Sequence, residues 1–467
     1  MSAISHAAEA PRAALGFAGV AVLTLGALDF ALEGSIIVPA LPAMADHYDA
    51  SLIAVGWLAT GFLLASVVGV PLLGRLGDLY GKRLMLLVSL GSFSLGALLC
   101  AATENIELAI AGRAVQGFGS AAGPLTLALA RDTVPNVQLP RVIGAVIGAA
   151  TVGGGLGFLL GGVLADEFSP AAIFWFLFAF GLALIAAIAA FVHESPVRTK
   201  VRLDTAGVAL LGAGLVALLL AISKGGAWGW SSWAIVGLFV TSAVLLTLFA
   251  LVEGRARDPH VDLQLVRERP FVNTNICSFA FGFAFFIATY VIPQVAGTPR
   301  SSGYGLGLST TQIGLLLVPS CVAGFAGASV AGRRLERLGP RTLVAAGALF
   351  GLLGNLALAA AHTTVVAIVF GSSLVGLAWG LILPGIYAVV LRSASEDKSA
   401  VATAVTATVR NTGVSVGVSV AFAIVTAAGF AGEFRSDSGF TTALLVGALG
   451  SAAMLLVSLT LPRRLQT

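Results

Sequence analysis

"GRLGDLYGKR", residues 74–83, returns later in the chain as "GRRLERLGPR", residues 332–341. Gly74, Arg75, Asp78, Gly81 and Arg83 match Gly332, Arg333, Glu336, Gly339 and Arg341 at one constant spacing of 258 positions. Each copy is a short charged turn between long apolar runs. A fixed spacing over five positions marks an internal duplication, so the chain is expected to be two related halves.

The solvent for those halves is lipid. Of 467 residues, 58% are hydrophobic and only 10% charged, with a mean hydropathy of +0.98, whereas soluble domains carry about 25% charged residues. The 57 glycines exceed the roughly 7% of ordinary usage, as expected where helices in lipid pack through small residues. Cys100, Cys277 and Cys321 sit in apolar runs without metal-type spacing and read as inert. His6, His47, His193, His260 and His362 lie in loops or at span ends with no paired spacing, so no metal site is supported. No GxxxxGK[ST] loop is present, which argues against transport driven by ATP on this chain. The net charge of +4 comes from bases scattered over short loops, not from an aromatic-interleaved basic patch, so no nucleic-acid partner is expected.

A bilayer core of about 30 Å takes roughly 20 apolar residues as helix. Fourteen runs qualify, at 14–36, 51–73, 84–102, 107–129, 142–164, 171–192, 205–222, 233–252, 271–294, 311–332, 342–361, 364–391, 400–426 and 440–461. The first is too long and too acidic for a cleaved signal sequence, and is expected to remain as a span. With both termini cytoplasmic, 21 of the 26 Lys and Arg fall in inside segments and three, Lys224, Arg300 and Arg435, fall outside. The remaining two, Arg113 and Arg410, lie within spans. This distribution obeys the positive-inside rule. Charge alone does not separate twelve spans from fourteen, because removing a two-span hairpin leaves every other loop on its side. The hairpin in question, spans seven and eight, is joined by "SKGGAWGWSS" (223–232), where Trp228, Trp230 and Trp233 read as an interfacial belt. Both runs are long enough to keep. The duplication also maps span two onto span ten, which leaves two spans inserted between the halves.

Two halves repeated in parallel about the membrane normal are how one transporter class builds a cavity that opens alternately to either side. At this point the sequence resembles the major facilitator superfamily, specifically its fourteen-span drug:proton antiporters, over essentially the whole chain. "GRLGDLYGKR" resembles the superfamily's loop motif between spans two and three. "RAVQGFGSA" (113–121) is similar to its span-four motif, with a buried arginine, Arg113, followed by Gln116 and Gly117. Gly144, Gly153, Gly157, Gly161 and Gly162 fall on the antiporter glycine pattern of span five, and Phe158 occupies its proline position, so the motif's kink is not implied while its glycine face is. "LEGSIIVPALP" (32–42) resembles the first-span signature, with Glu33 where aspartate is usual; Asp29, one turn earlier, is additional to it.

Asp29 and Glu33 are four residues apart, about 400° around a helix and therefore on one face. Carboxylates in hydrocarbon survive only when they face a cavity, a partner or a proton. Three readings stand: a proton-coupling pair, fixed ionic contacts with Arg113 or Arg410, or an anchor for a cationic substrate. The resemblance places Arg113 near the cavity, tuning the acids; a structural role, bonding to backbone carbonyls, is the other reading. Arg410 and Asn411, mid-span in "TATVRNTGVSVG" (406–417), suit an anionic substrate group or a pairing with the acids across the halves. In the loop motif and its repeat, the same charges and glycines favour a cytoplasmic gate between the halves over mere topogenic charge; its residues are Gly74, Arg75, Asp78, Gly81, Arg83, Glu336 and Arg341. Within "FAFGFAFFIATYVIPQ" (279–294), Phe283, Phe286, Tyr290 and Gln294 are candidates to line a drug cavity, against lipid or core contact. "RARDPHVDLQLVRERP" (255–270), with Val261, Leu263, Leu265 and Val266, reads as a short interfacial helix.

The expected architecture is an all-α polytopic membrane protein of the major facilitator fold. Its parts are a six-helix half over 1–192, two inserted helices with linkers over 193–270, and a second six-helix half over 271–467. The expected activity is proton-coupled efflux of hydrophobic or amphiphilic compounds from a bacterial plasma membrane, by a monomer that uses the proton gradient and no cofactor. A carrier dedicated to one metabolite or antibiotic is the nearest alternative. A lipid-modifying enzyme would need a polar catalytic cluster at an interface, and no loop supplies one.

Overall fold

The computed structural model describes residues 16–135, 138–195, 205–253, 268–393, 399–431 and 434–463. In chain order, the first half holds α1 (Phe17–Ser35), α2 (Leu41–His47), α3 (Leu52–Tyr80), α4 (Lys82–Ala101), α5 (Ile106–Gly117), α6 (Ala122–Thr133), α7 (Leu139–Glu167) and α8 (Pro170–Phe191). Next come α9 (Thr205–Trp228) and α10 (Trp233–Glu253). The remainder holds α11 (Arg269–Gly297), α12 (Thr310–Ala361), α13 (Val365–Ser393), α14 (Ser399–Ala427) and α15 (Asp437–Ser458). A two-residue antiparallel pair, Phe430–Ala431 with Phe434–Arg435, closes the turn between α14 and α15. Segment 254–267, most of the stretch read as an interfacial helix and including Val261, Leu263, Leu265 and Val266, lies outside the described residues.

Twelve helices among the described residues are long and apolar enough to cross a bilayer. Two further rods do not count among them. α5 and α6 form one rod broken at Phe118–Ala121 by a 3₁₀ turn, and α9 carries a shorter apolar core, Ala209–Ile222. Helix is forced on the chain because hydrocarbon offers no partner for backbone N–H and C=O groups, which helices satisfy within themselves.

The duplication is visible in the backbone. Gly81 separates α3 from α4 with φ 123°, and Gly339, its counterpart in the repeat, breaks α12 into two helices with φ 75°. Positive φ is cheap only for glycine, so the repeated glycine sets the same sharp reversal in both halves. A second repeat lies in helix packing. Cβ atoms added at Gly153, Gly157 and Gly161 of α7 would collide with the carbonyls of Leu28, Leu32 and Ile36 on α1. Likewise, Gly413 and Gly417 of α14 lie against the carbonyls of Phe279 and Phe283 on α11. Without hydrophobic drive between helices in lipid, this backbone-to-backbone approach is the source of packing energy.

Each half has two apolar cores stacked along the membrane normal. In the first half one gathers Val22, Leu23, Ala27, Leu90, Leu125 and Ile188, and the other Leu32, Ile36, Met44, Leu58, Phe93 and Phe174. In the second half one gathers Phe271, Phe281, Ile382, Ile386 and Met454, and the other Ile287, Val291, Ile313, Leu358 and Phe440. Where the two cores meet, α1 carries Asp29 and, just past Leu32, Glu33, and α11 carries Phe283 and Phe285, which pack against the cores. This level is the waist of each half.

Candidate functional site

The waist of the first half holds the acids. Asp29 and Glu33 are 2% and 1% exposed, each one residue beyond a carbonyl covered by the α7 glycines. On the other side of α1, a Cβ at Gly26 would meet Thr126 Oγ1 at 3.3 Å, and Gly123 of α6 receives the Phe30 ring. Small residues on α6 and α7 thus grip α1 from two sides and hold both acids inside. Asp29 Oδ1 and Glu33 Oε1 are buried without a hydrogen-bond partner, as are Gln116 Nε2, Ser120 Oγ and Thr126 Oγ1 on neighbouring helices. Leaving a buried polar atom unpaired costs about 1–3 kcal/mol. Two such atoms on α1 and one on α6, Thr126 Oγ1, therefore lie together in the first half, with those of Gln116 and Ser120 in the same half.

Arg113 sits beside this cluster, 1% exposed. Its Nε donates to Leu58 O at 3.0 Å, its Nη1 donates to Gln116 Oε1 at 2.8 Å, and its guanidinium stacks 4.4 Å from the Phe62 ring centroid. Arg113 and Asp29 are the charged groups acting on Glu33. Among the described residues no salt bridge within 4.0 Å joins Arg113 to either acid. Arg113 is thus held by a carbonyl, an amide and an aromatic face, close enough to act on Glu33 through space. Gly117 lies against Phe62 O, and Gly112 against Cys100 Sγ and Gly96 O, which lets α5 press into α3 and α4 and bury the arginine.

In the second half, Arg410 Nη1 donates to the Tyr387 hydroxyl at 3.1 Å, and no ion pair to Asp29 or Glu33 is formed among the described residues. Asn411 is half-buried beside it. Phe286 joins Phe281, Phe285 and Trp379 in one aromatic cluster; the Phe285 and Trp379 centroids are 4.5 Å apart. Phe283 instead packs its ring on Gly450 of α15 and its carbonyl on Gly417. Tyr290 is half-buried against the core beyond the waist, and Gln294 is half-buried further along the same helix.

The loop motif is tied inside its own half. Lys82 Nζ bridges Asp132 Oδ2 at 2.5 Å and stands 3.9 Å from Asp78 Oδ1. Arg83 Nη2 donates to Ala189 O at 2.6 Å. Glu194 accepts from the Arg83 and Leu84 N–H groups at 2.9 and 3.2 Å, capping α4. Arg75 is half-buried at the end of α3, while a Cβ at Gly74 would meet nothing within 4 Å. In the repeat, Arg341 is half-buried and the Glu336 side chain lies outside the described residues, as do the surroundings of Gly144.

The halves meet along α7 and α12, where Gly148 and Gly155 face Phe325 and Cys321, and the contact is tightest at the far end of α7. Asp166, at the end of α7, accepts from the Thr310 N–H at 3.2 Å through Oδ1 and from the Thr311 N–H at 2.6 Å through Oδ2. Gly162 lies against the Thr310 carbonyl, and Gly314 against that of Phe158. α7 runs unbroken through Phe158, so the residue at the proline position offers its carbonyl to α12 instead of a kink. The glycines of span five therefore split: Gly153, Gly157 and Gly161 face α1, while Gly162 faces α12 across the two halves.

Sequence reasoning missed Asp132, Glu194, Asp166, Tyr387 and Trp379. Asp166 carried a signal, an acid four residues after the glycine pair and therefore on the same helix face. The other four are ordinary residues at span ends or in apolar runs, and only packing gives them partners.

The sequence profile of the Major Facilitator Superfamily matches residues 23–418. The chain is 27% identical over 380 residues to a Bacillus subtilis protein named "Multidrug transporter protein MdtP", covering 80% of this chain and 68% of that one. It is 28% identical over 327 residues to the "Tetracenomycin C resistance and export protein" of Streptomyces glaucescens, covering 68% of this chain and 58% of that one. The chain spans about two thirds or less of the length of the curated relatives it matches. In fold it is similar to the crystal structure of the human organic anion transporter MFSD10 (TETRAN), with a TM-score of 0.67 at 16% identity, over 96% of this chain and 100% of that one. Repeat, helical halves, buried waist and profile agree: the chain belongs to the major facilitator superfamily and is a multi-pass membrane transporter, not an enzyme.

Proposed function

We propose that this protein exports hydrophobic or amphiphilic small molecules in exchange for protons, by alternating access across a bacterial plasma membrane. One observation carries the coupling: two acids one turn apart on α1, buried at mid-height, each with an oxygen that no protein group satisfies. A carboxyl in that position gains a partner by taking a proton or a polar substrate group, and the two compete for it. The chemistry is proton exchange: R–COO⁻ at the waist takes a proton from one side, releases substrate there, and gives the proton up after the halves have rocked to the other side.

Fourteen crossings with both termini cytoplasmic belong to this reading, on the distribution of Lys and Arg over the loops. The broken rod of α5 and α6 and the α9 helix supply the two crossings beyond the twelve uninterrupted ones. In this orientation the Asp166 contact closes the outer end, and the loop motif lies at the cytoplasmic end, tied to its own half. The names of the two relatives support drug or antibiotic export. A carrier dedicated to one antibiotic differs from this reading only in the breadth of its substrates.

The test is transport of a fluorescent drug into inverted membrane vesicles under an imposed pH gradient, comparing wild type with Asp29→Asn and Glu33→Gln. Gradient-driven uptake is expected to fall to background in Glu33→Gln and to drop strongly in Asp29→Asn, while equilibrium binding persists. Full gradient-driven uptake in both variants would remove the acids from coupling.

A further inference from the structure

The second half carries its own polar group at the waist, and nothing in proton exchange uses it. Arg410 lies on α14 where that helix crosses α11: its carbonyl fills the space a Cβ at Gly282 would need. Gly282 sits between Phe281 and Phe286, whose rings meet Trp379 of α13. Two turns along α13 from Trp379, Tyr387 receives the Arg410 guanidinium. A cation and a phenol from α14 and α13 therefore meet about 12 Å along α13 from an aromatic wall built by α11 and α13.

Two features mark this as a place for a ligand. Arg410, Tyr387, Phe285, Phe286 and Trp379 are all half-buried, not sealed into the cores on either side. Arg410 makes no salt bridge among the described residues, although a cation at mid-membrane is costly without an anion.

We infer that the Arg410–Tyr387 pair and the Phe285, Phe286 and Trp379 wall form a substrate subsite for planar aromatic compounds bearing a carboxylate or phenolate group. The inference rests on the export reading given above and specifies its substrate. The guanidinium supplies charge-assisted hydrogen bonds to the anionic group, the Tyr387 hydroxyl donates a further bond, and the ring system stacks on the wall. The two halves then divide the labour, with protons taken by the first half and the anionic end of the substrate by the second.

The experiment measures equilibrium binding of two planar dyes, anionic fluorescein and cationic ethidium, to the purified full chain in detergent without any gradient. Arg410→Gln is expected to weaken fluorescein about tenfold or more, the scale of one lost charge-assisted hydrogen bond, and to leave ethidium within about twofold. Tyr387→Phe, which keeps the ring packing, is expected to weaken fluorescein by a smaller factor with ethidium again unchanged. Trp379→Leu is expected to weaken both dyes. The inference is overturned if wild type does not bind fluorescein, if Arg410→Gln and Tyr387→Phe leave its affinity within about twofold of wild type, or if they weaken both dyes alike. Because no gradient is applied, loss of proton coupling in the vesicle assay leaves this result standing, and the reverse also holds.

Discussion

Asp166→Ala removes the one carboxylate that joins α7 to the N-terminus of α12. Two backbone N–H groups, those of Thr310 and Thr311, lose their acceptor. Hydrogen bonds to a charged group contribute about 1.5–3 kcal/mol each when shielded, and an N-terminal capping side chain is worth about 0.5–2 kcal/mol. Asp166 is exposed, so solvent screening lowers the sum to about 1–2 kcal/mol. α12 itself keeps the cap made by Ser309 and Gln312, so the loss falls on the contact between halves. The closed end is therefore expected to open roughly 5- to 30-fold more often. Hydrogen–deuterium exchange at Thr310 and Thr311 reads this directly, with Gln312→Ala, which removes the acceptor of the Ser309 N–H in the cap, as the control that frays α12 while Asp166 stays in place. Asp166→Asn, which keeps one acceptor oxygen, is expected to fall between wild type and Asp166→Ala. Unchanged exchange at these two amides in Asp166→Ala, with the Gln312→Ala control responding, would refute the assignment of Asp166 as the latch.

Other substitutions separate contacts that the sequence makes look alike. Gly157→Ala places a methyl against Ser35 Oγ and the Leu32 carbonyl, whereas Gly154→Ala meets nothing within 4 Å; thermal unfolding in detergent should show a loss of about 1–3 kcal/mol for the first and little change for the second. Within the loop motif, Gly81→Ala suffers both a positive φ and the Glu194 carboxylate and is expected to destabilise by about 1–3 kcal/mol, while Gly74→Ala is expected to be silent in the same assay. Asp132→Ala leaves Lys82, 11% exposed, without its close partner and should cost about 3 kcal/mol; Asp78→Ala, at 3.9 Å and 40% exposed, should cost well under half of that.

The membrane setting and the duplication were legible in the sequence because both are one-dimensional. Apolar run length answers to bilayer thickness, and a repeat needs only its spacing. Asp29 and Glu33 were legible for a related reason: a charge in hydrocarbon is improbable without a task, and four residues place the pair on one face of any helix. The glycines of span five were readable as a face, but the sequence did not show that one face serves α1 and Gly162 serves α12, because that depends on which helices stand beside α7.

Partners across distance belong to the tertiary structure alone. Arg113 and Arg410 were equal candidates for the acids by sequence. Packing places Arg113 between Leu58, Gln116 and Phe62, and hands Arg410 to Tyr387, which lies on a different helix in an unremarkable apolar run. Asp132 and Glu194 acquire roles only because α6 and α8 end beside the loop motif. Composition and periodicity thus fixed the solvent, the helices and the buried charges, since each follows from local free energy of transfer. Which charge meets which partner was decided by the helix crossings, since hydrogen bonds act over about 3 Å and only the assembled bundle brings residues from distant parts of the chain that close.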